Sequence, residues 1–204
     1  MKGRGQANQH RSAKGKKMED DEVKNGAVTT FSMDYMFLTK DMELVEGEEA
    51  EKMGEDKLSF PVMVGKDRKT GAVIAHKVEA KGKGNGYIVK RLITDLEELG
   101  YGGTKVIIKC DQENAIVEVQ REIIRRRQGL SVPIHSAVGD SKGNGDVESA
   151  VKRLRGQLRT IKDDLEAKVK HKLNHDDVLV DWMILWVAGQ IYEVWEGYIR
   201  EDSV

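Results

Sequence analysis

The sequence is short of several things. It has one cysteine, Cys110, and two prolines in 204 residues, which excludes a disulfide scaffold and a proline-rich or collagen-like chain. Its longest uninterrupted apolar run, Trp182 to Ala188, spans seven residues, against the roughly 18 that a membrane-crossing helix needs. No membrane partner is expected. Charge of one sign is also missing, because 34 Lys+Arg face 35 Asp+Glu for a formal charge of -1. A whole-molecule polyanion binder is thereby excluded, and any contact with nucleic acid must come from local patches. The basic start MKGRGQANQHRSAKGKK has no apolar stretch and is not a secretory signal. With a lone cysteine, the expectation is an intracellular protein, nuclear after cytoplasmic synthesis.

What is present is enough apolar material, 39% of residues, for one sizeable domain. Residues 1–18 carry Lys2, Arg4, Arg11, Lys14, Lys16 and Lys17 without an acid, so 1–27 is expected to be a disordered basic arm or linker. Val28 to Leu38 is dense in β-branched, aromatic and long apolar side chains and predicts a buried strand with Asp34 in its middle. Asp41 to Lys57 holds eight acids and two glycines and predicts a solvated loop. Phe60–Val64 and Ala72–Val78, joined by a turn-forming Gly65–Gly71 segment, predict an antiparallel hairpin.

From Gly86 to Leu99 the apolar residues fall at helical spacing and stop at Gly100. Lys105–Cys110 is a nearly continuous apolar run after a Gly-rich turn, as a buried parallel strand would be, and ends at Asp111. A helix over Glu113–Arg127, a short strand Val132–His135 and a flexible Gly139–Gly145 loop follow. Two long helices close the chain, from about Asp146 to Lys172 and from about Asp176 to Tyr198. The order implies an α/β domain over 28–200 with a tail at 201–204. Its mixed five-stranded sheet combines a three-stranded antiparallel meander with parallel strands, flanked by helices. In such sheets, sites gather at the carboxyl ends of strands, where Asp111 sits.

Among so many acids, proximity in sequence means little and context means more. Asp34 lies inside an apolar strand, where an unpaired carboxylate is costly to desolvate. Asp111 follows a buried strand, and Glu148 follows Gly143-Asn144-Gly145 at a helix start. The plain alternatives are an ion-paired strand acid, a helix N-cap and a first-turn acid favoured by the helix dipole.

Together, Met33-Asp34-Tyr35, Lys109-Cys110-Asp111-Gln112-Glu113 and Gly143-Asn144-Gly145-Asp146-Val147-Glu148 resemble the D,D-35-E signature of retroviral and retrotransposon integrase catalytic cores. Asp111 and Glu148 stand 37 positions apart and Asp34 and Asp111 stand 77 apart, the acidic loop accounting for the longer first interval. The resemblance covers roughly residues 28–200, and Asn-Gly-x-x-Glu is its strongest element. It implies an RNase H-like fold, DNA as partner, and two Mg²⁺ or Mn²⁺ ions held by Asp34, Asp111 and Glu148 for 3′-end processing and strand transfer. Three carboxylates suit this chemistry because hard divalent ions take oxygen ligands, and two ions about 3.5–4 Å apart clamp both oxygens of an in-line displacement. It also implies a homodimer or higher oligomer, with the Trp-rich last helix and the helix at 86–99 as candidate contacts.

A second feature points to DNA. Lys152, Arg155, Arg159 and Lys162 continue from Glu148 at alternating steps of four and three, along one helical face that would grip phosphates. The alternative is a solvated basic face balanced by Asp163, Asp164 and Glu166. Gln112 and Asn144 would either hydrogen-bond DNA or cap turns. His171 and His175 have i, i+4 spacing without a completing acid or cysteine and predict surface histidines. Cys110 predicts strand packing, and Gly82–Gly86 a strand-to-helix connection without the P-loop ending.

The departures from the family are an absent zinc module, an absent carboxy-terminal DNA-binding domain, and no proline before Asn-Gly-x-x-Glu. A core excised from a longer polyprotein, or a decayed copy, is the expectation. The other readings are an RNase H-type nuclease and a non-catalytic interaction module on the same fold.

Overall fold

The computed structural model describes residues 28–39, 44–45, 60–84, 86–135 and 144–201, with side chains described in all of these except 44–45 and 192–201. The basic arm, most of the acidic loop, most of the Gly-rich loop and the last three residues lie outside the described residues. In chain order the elements are β1 (Thr29–Leu38), β2 (Leu44–Val45), β3 (Phe60–Asp67), β4 (Val73–Lys77), α1 (Tyr87–Glu98), β5 (Val106–Cys110), α2 (Asn114–Arg126), β6 (Ser131–His135), α3 (Gly145–Val169) and α4 (Val178–Glu201).

The sheet runs β4-β3-β1-β5-β6, antiparallel on the β4-β3-β1 side and parallel on the β1-β5-β6 side. These five strands form the mixed sheet that the element order predicts, in the RNase H-like arrangement that the resemblance implies, with β2 as a sixth strand beside β1. One strand was not anticipated. Leu44 and Val45 pair antiparallel with Leu38 and Phe37 inside the segment expected to be loop, because two apolar residues between acids leave no periodicity to read.

β1 is central and apolar on both faces, which explains its unbroken run. Phe31, Met33, Tyr35 and Phe37 pack with α1 and α2, through residues such as Leu92, Leu96, Ile116 and Ile123. Met36 and Leu38 pack with α3 and α4, through Val147, Leu154, Met183 and Val187. Strand alternation therefore turns Asp34 toward α3.

Local chemistry sets the joints. β3 extends to Asp67, three residues beyond the expected end, because this fully buried carboxylate closes the turn. It accepts the Thr70 N–H at 2.9 Å, the Thr70 hydroxyl at 2.6 Å, the Tyr101 hydroxyl at 2.8 Å and the Thr29 hydroxyl. Gly65 is required by close approach, since a Cβ there would lie 2.3 Å from Phe31 Cζ. Arg127, expected to end α2, instead leaves the helix and is buried. There its guanidinium donates to the Tyr101 and Thr104 carbonyls and to Ser131 Oγ at 2.9 Å. α3 stops at Val169, short of the expected Lys172, as Lys170 turns left-handed at φ 54. Among the described residues no helix is long and apolar enough to cross a membrane.

Candidate functional site

The three expected acids come from three elements that meet at one edge of the sheet. β1 and β5 run parallel with Ser32 opposite Lys109, so two further steps set Asp34 beside Asp111. Glu148 occupies the first turn of α3, where its N–H donates to the Asn144 carbonyl at 3.1 Å. Asn144 is only 7% exposed, and its Nδ2 reaches the Met33 carbonyl, one residue before Asp34, at 3.5 Å. The start of α3 is thus moored against the strand that carries Asp34. Asn144 Oδ1 is buried without a hydrogen-bond partner among the described residues.

Electrostatics register this convergence. The Asp34 carboxyl is pushed up from 3.8 to about 6, first by burial and then by the charges of Asp111, Glu148 and Glu113. The Tyr35 N–H, donating to Asp34 Oδ1 at 2.8 Å, works in the opposite direction. Asp111 Oδ1 accepts the Glu113 N–H at 3.1 Å, a bond within the turn that precedes α2, whose N-cap is Glu113 rather than Asp111.

Glu113 itself is a fourth carboxylate that sequence reasoning did not single out, although it stands two residues after Asp111 in the quoted motif. Lys81, equally unforeseen, pairs with it at 2.9 Å. The Cys110 thiol is fully buried and pushed up to about 12 by burial and by the neighbouring Asp111 and Asp34 charges. A packing role for it stands, and a nucleophilic one does not.

Carboxylate oxygens are the donor type that a hard divalent cation takes. Among the described residues, however, no three His, Cys, Asp or Glu side chains stand close enough to hold a metal ion.

The cationic face divides. Lys152 and Arg159 are exposed and Arg155 is half-buried. Lys162 is turned inward, its side chain 14% exposed and its ammonium 3.2 Å from the buried Glu166. Glu166 also takes Lys172 at 2.8 Å and the Leu173 N–H at 2.9 Å, and these partners, Lys172 foremost, hold its carboxyl down at about 2. Gln112 is exposed in the turn between β5 and α2. His171 is a surface residue as expected, but His175 is half-buried and stacks on Phe60, with ring centroids 6.1 Å apart. The apolar packing around Phe60 accounts for that difference.

Among the solved structures similar to this chain are viral integrases. One is the simian T-cell lymphotropic virus intasome in complex with PP2A regulatory subunit B56 gamma, at 15% identity and a TM-score of 0.48. That match covers 66% of this chain, which spans only 41% of its counterpart. The HTLV-2 integrase catalytic core domain in complex with magnesium matches at 12% identity and a TM-score of 0.47 in its dimeric and trimeric forms. These matches cover 78% of this chain and 82% and 81% of the respective counterparts. No family model and no curated protein matches the sequence. At this level of similarity, the reading of the site rests on this chain's own residues.

Proposed function

We propose that the chain is the catalytic core of an integrase-like polynucleotidyl transferase acting on DNA, with Asp34, Asp111 and Glu148 as the carboxylates of its site. The observation that carries this reading is the meeting of β1, the end of β5 and the first turn of α3 around Asp34, whose carboxyl responds to both of the other acids. A fold seldom maintains such like-charge crowding without using it.

On this reading Asp34, Asp111 and Glu148 would hold two Mg²⁺ or Mn²⁺ ions. When bound, these would polarise the scissile phosphate and stabilise the attacking and leaving oxygens. No protein nucleophile is needed, which agrees with the buried, unreactive Cys110. Asn144 moors the third carboxylate, by its contact with the Met33 carbonyl, rather than reading DNA. Lys152, Arg155 and Arg159 run along α3 from Glu148 and would grip the phosphate backbone, with Gln112 at the rim beside Asp111. Lys162 serves Glu166 instead.

The site of action would be the nucleus, where the DNA is. A second copy of the chain would dock on α4, which exposes Val178, Trp182, Leu185 and Trp186 while burying Val180, Met183, Ile184 and Val187. A helix apolar on both sides calls for cover on both sides.

The test is strand rejoining on branched DNA with Mn²⁺ or Mg²⁺, comparing the unmodified chain with D111N. Rejoining that needs the metal and is abolished by the substitution is expected. Full activity in D111N would sink the assignment. Metal-independent DNA binding by an inactive chain would favour the non-catalytic module, and preferential cleavage of an RNA–DNA hybrid the nuclease.

A further inference from the structure

The strand register places two lysines on the sheet face that carries Asp34. In β1, Phe31, Met33, Tyr35 and Phe37 turn toward α1 and α2, so Thr30, Ser32 and Asp34 turn toward α3. Ser32 stands opposite Lys66 on β3 and opposite Lys109 on β5, and side chains paired in this way share a face. Lys66, Ser32 and Lys109 therefore form one cross-strand row, and Asp34 and Asp111 lie in the next row on the same face. Lys66 is diagonal to Asp34, a placement that sets the two about 7–8 Å apart. Lys109 precedes Asp111 by two residues, about 7 Å along the strand.

The ends of the row are open where its centre is not. Ser32 is buried, whereas Lys66 and Lys109 are half-buried. Lys66 makes no ion pair or hydrogen bond among the described residues. Beside it, Arg68 in the β3–β4 turn is exposed and reaches Asp146, in the first turn of α3, at 3.7 Å. α3 leaves in the other direction. Asn144 at its start contacts the Met33 carbonyl, and beyond its end His175 stacks on Phe60, which stands opposite Leu38 at the far end of β1. Asp34 and Asp111 thus lie between two groups of cations, with Lys152, Arg155 and Arg159 of α3 to one side and Lys66, Lys109 and Arg68 to the other. Carboxylates repel a phosphate backbone, and cations on both sides offset that repulsion.

We infer that Lys66 and Lys109 form a seat on the sheet for the phosphate backbone of DNA, on the side of Asp34 away from α3. Charge selects the occupant. Two cation groups held apart by acids match a chain of phosphates that passes from one group to the other, whereas a single small anion would gain from one group only. The inference rests on the DNA-acting reading given above and extends it from α3 to the sheet. The contact is made by side-chain cations alone, so it operates with or without a divalent ion.

The test is binding of a fluorescent DNA duplex to the full chain, followed by anisotropy in chelator from about 50 to 200 mM salt. Each phosphate contact contributes about 0.9 to the slope of log affinity against log salt, so K66Q and K109Q should each lower the slope by about 0.9 and the double variant by about 1.8. K66R and K109R, which keep the charge, are expected to retain it. K90Q removes an exposed charge from α1, on the opposite face of the sheet, and is expected to leave the slope unchanged. Thermal melting checks the fold, and K66M or K109M replaces a glutamine variant that melts early. An unmodified slope in both K66Q and K109Q would overturn the inference. So would an equal drop in K90Q, which would mark a response to net charge alone. R159A separates this failure from that of the underlying reading. If R159A lowers the slope while K66Q and K109Q do not, DNA binds along α3 and the seat on the sheet is lost. If the unmodified chain shows no salt-sensitive DNA binding, both are lost.

Discussion

Glu166 offers the sharpest check on how the cations of α3 are shared between fold and ligand. Its side chain is 6% exposed and meets Lys172 at 2.8 Å, the Leu173 N–H at 2.9 Å and Lys162 at 3.2 Å. These partners hold the carboxyl at about 2 against an ordinary 4.5. At roughly 1.4 kcal/mol per tenfold change in proton affinity, the ceiling is about 3 kcal/mol. The Lys172 side chain is 88% exposed, so screening reduces this to about 2 kcal/mol.

The folded carboxyl is the stronger acid, so its stabilisation is complete above about 4.5 and fades as pH falls toward 2. E166Q should therefore lower stability at pH 7 by about 2 kcal/mol, or roughly 4–8 °C in Tm for a domain of this size. In denaturant titrations, the gap between E166Q and the unmodified chain should shrink to less than half at pH 3. An equal gap at both pH values would refute the reasoning, because the loss would then owe nothing to charge. Removing Lys162 should accordingly cost stability rather than DNA affinity. R159A should lower the salt slope of DNA binding by about one, and K162A should leave it unchanged.

Three further outcomes follow from the packing and charge. G65A sets a Cβ 2.3 Å from the Phe31 ring between β1 and β3, and overpacking of this kind should cost about 1–3 kcal/mol by denaturant titration. A W182S/W186S double variant removes a stacked pair with centroids 5.8 Å apart on the exposed side of α4, and light scattering should find it monomeric at concentrations where the unmodified chain self-associates. D34N, melted in chelator at pH 8, should be more stable than the unmodified chain by about 2 kcal/mol. The raised Asp34 carboxyl penalises the folded state above pH 6 and not below 3.8, so the advantage should vanish near pH 4.

Most of the architecture was legible because periodicity carries it. β1, β5 and the helices announce themselves by what they bury, and the boundary errors are a few residues at joints where one side chain decides. Asp67 prolongs β3 by collecting four donors, and Arg127 leaves α2 to collect carbonyls, neither of which a pattern of apolar residues encodes. The placement of Asp34, Asp111 and Glu148 on a strand, at a strand end and at a helix start was legible from their contexts. Glu113 and Lys81 were not, because they lie 32 positions apart and only the crossing of the β4–α1 connection over the entrance to α2 brings them together. The inward turn of Lys162 was not legible for a related reason. Helical spacing aligns it with Arg159, but Glu166 one turn on, buried by the return of the chain at Leu173, draws it inward.

The two failures share a cause and point to one principle of the site. Among the described residues, several carboxylates are matched by cations, and the fully buried Asp67 is matched by four hydrogen-bond donors instead. Glu166 has Lys162 and Lys172, Asp95 has Arg91 at 3.2 Å, and Glu113 has Lys81. Asp34 has backbone N–H and like charges instead. Burial and the charges of Asp111, Glu148 and Glu113 raise the Asp34 carboxyl while the Tyr35 N–H opposes them, and it is this unfavourable crowding that the D34N melt measures.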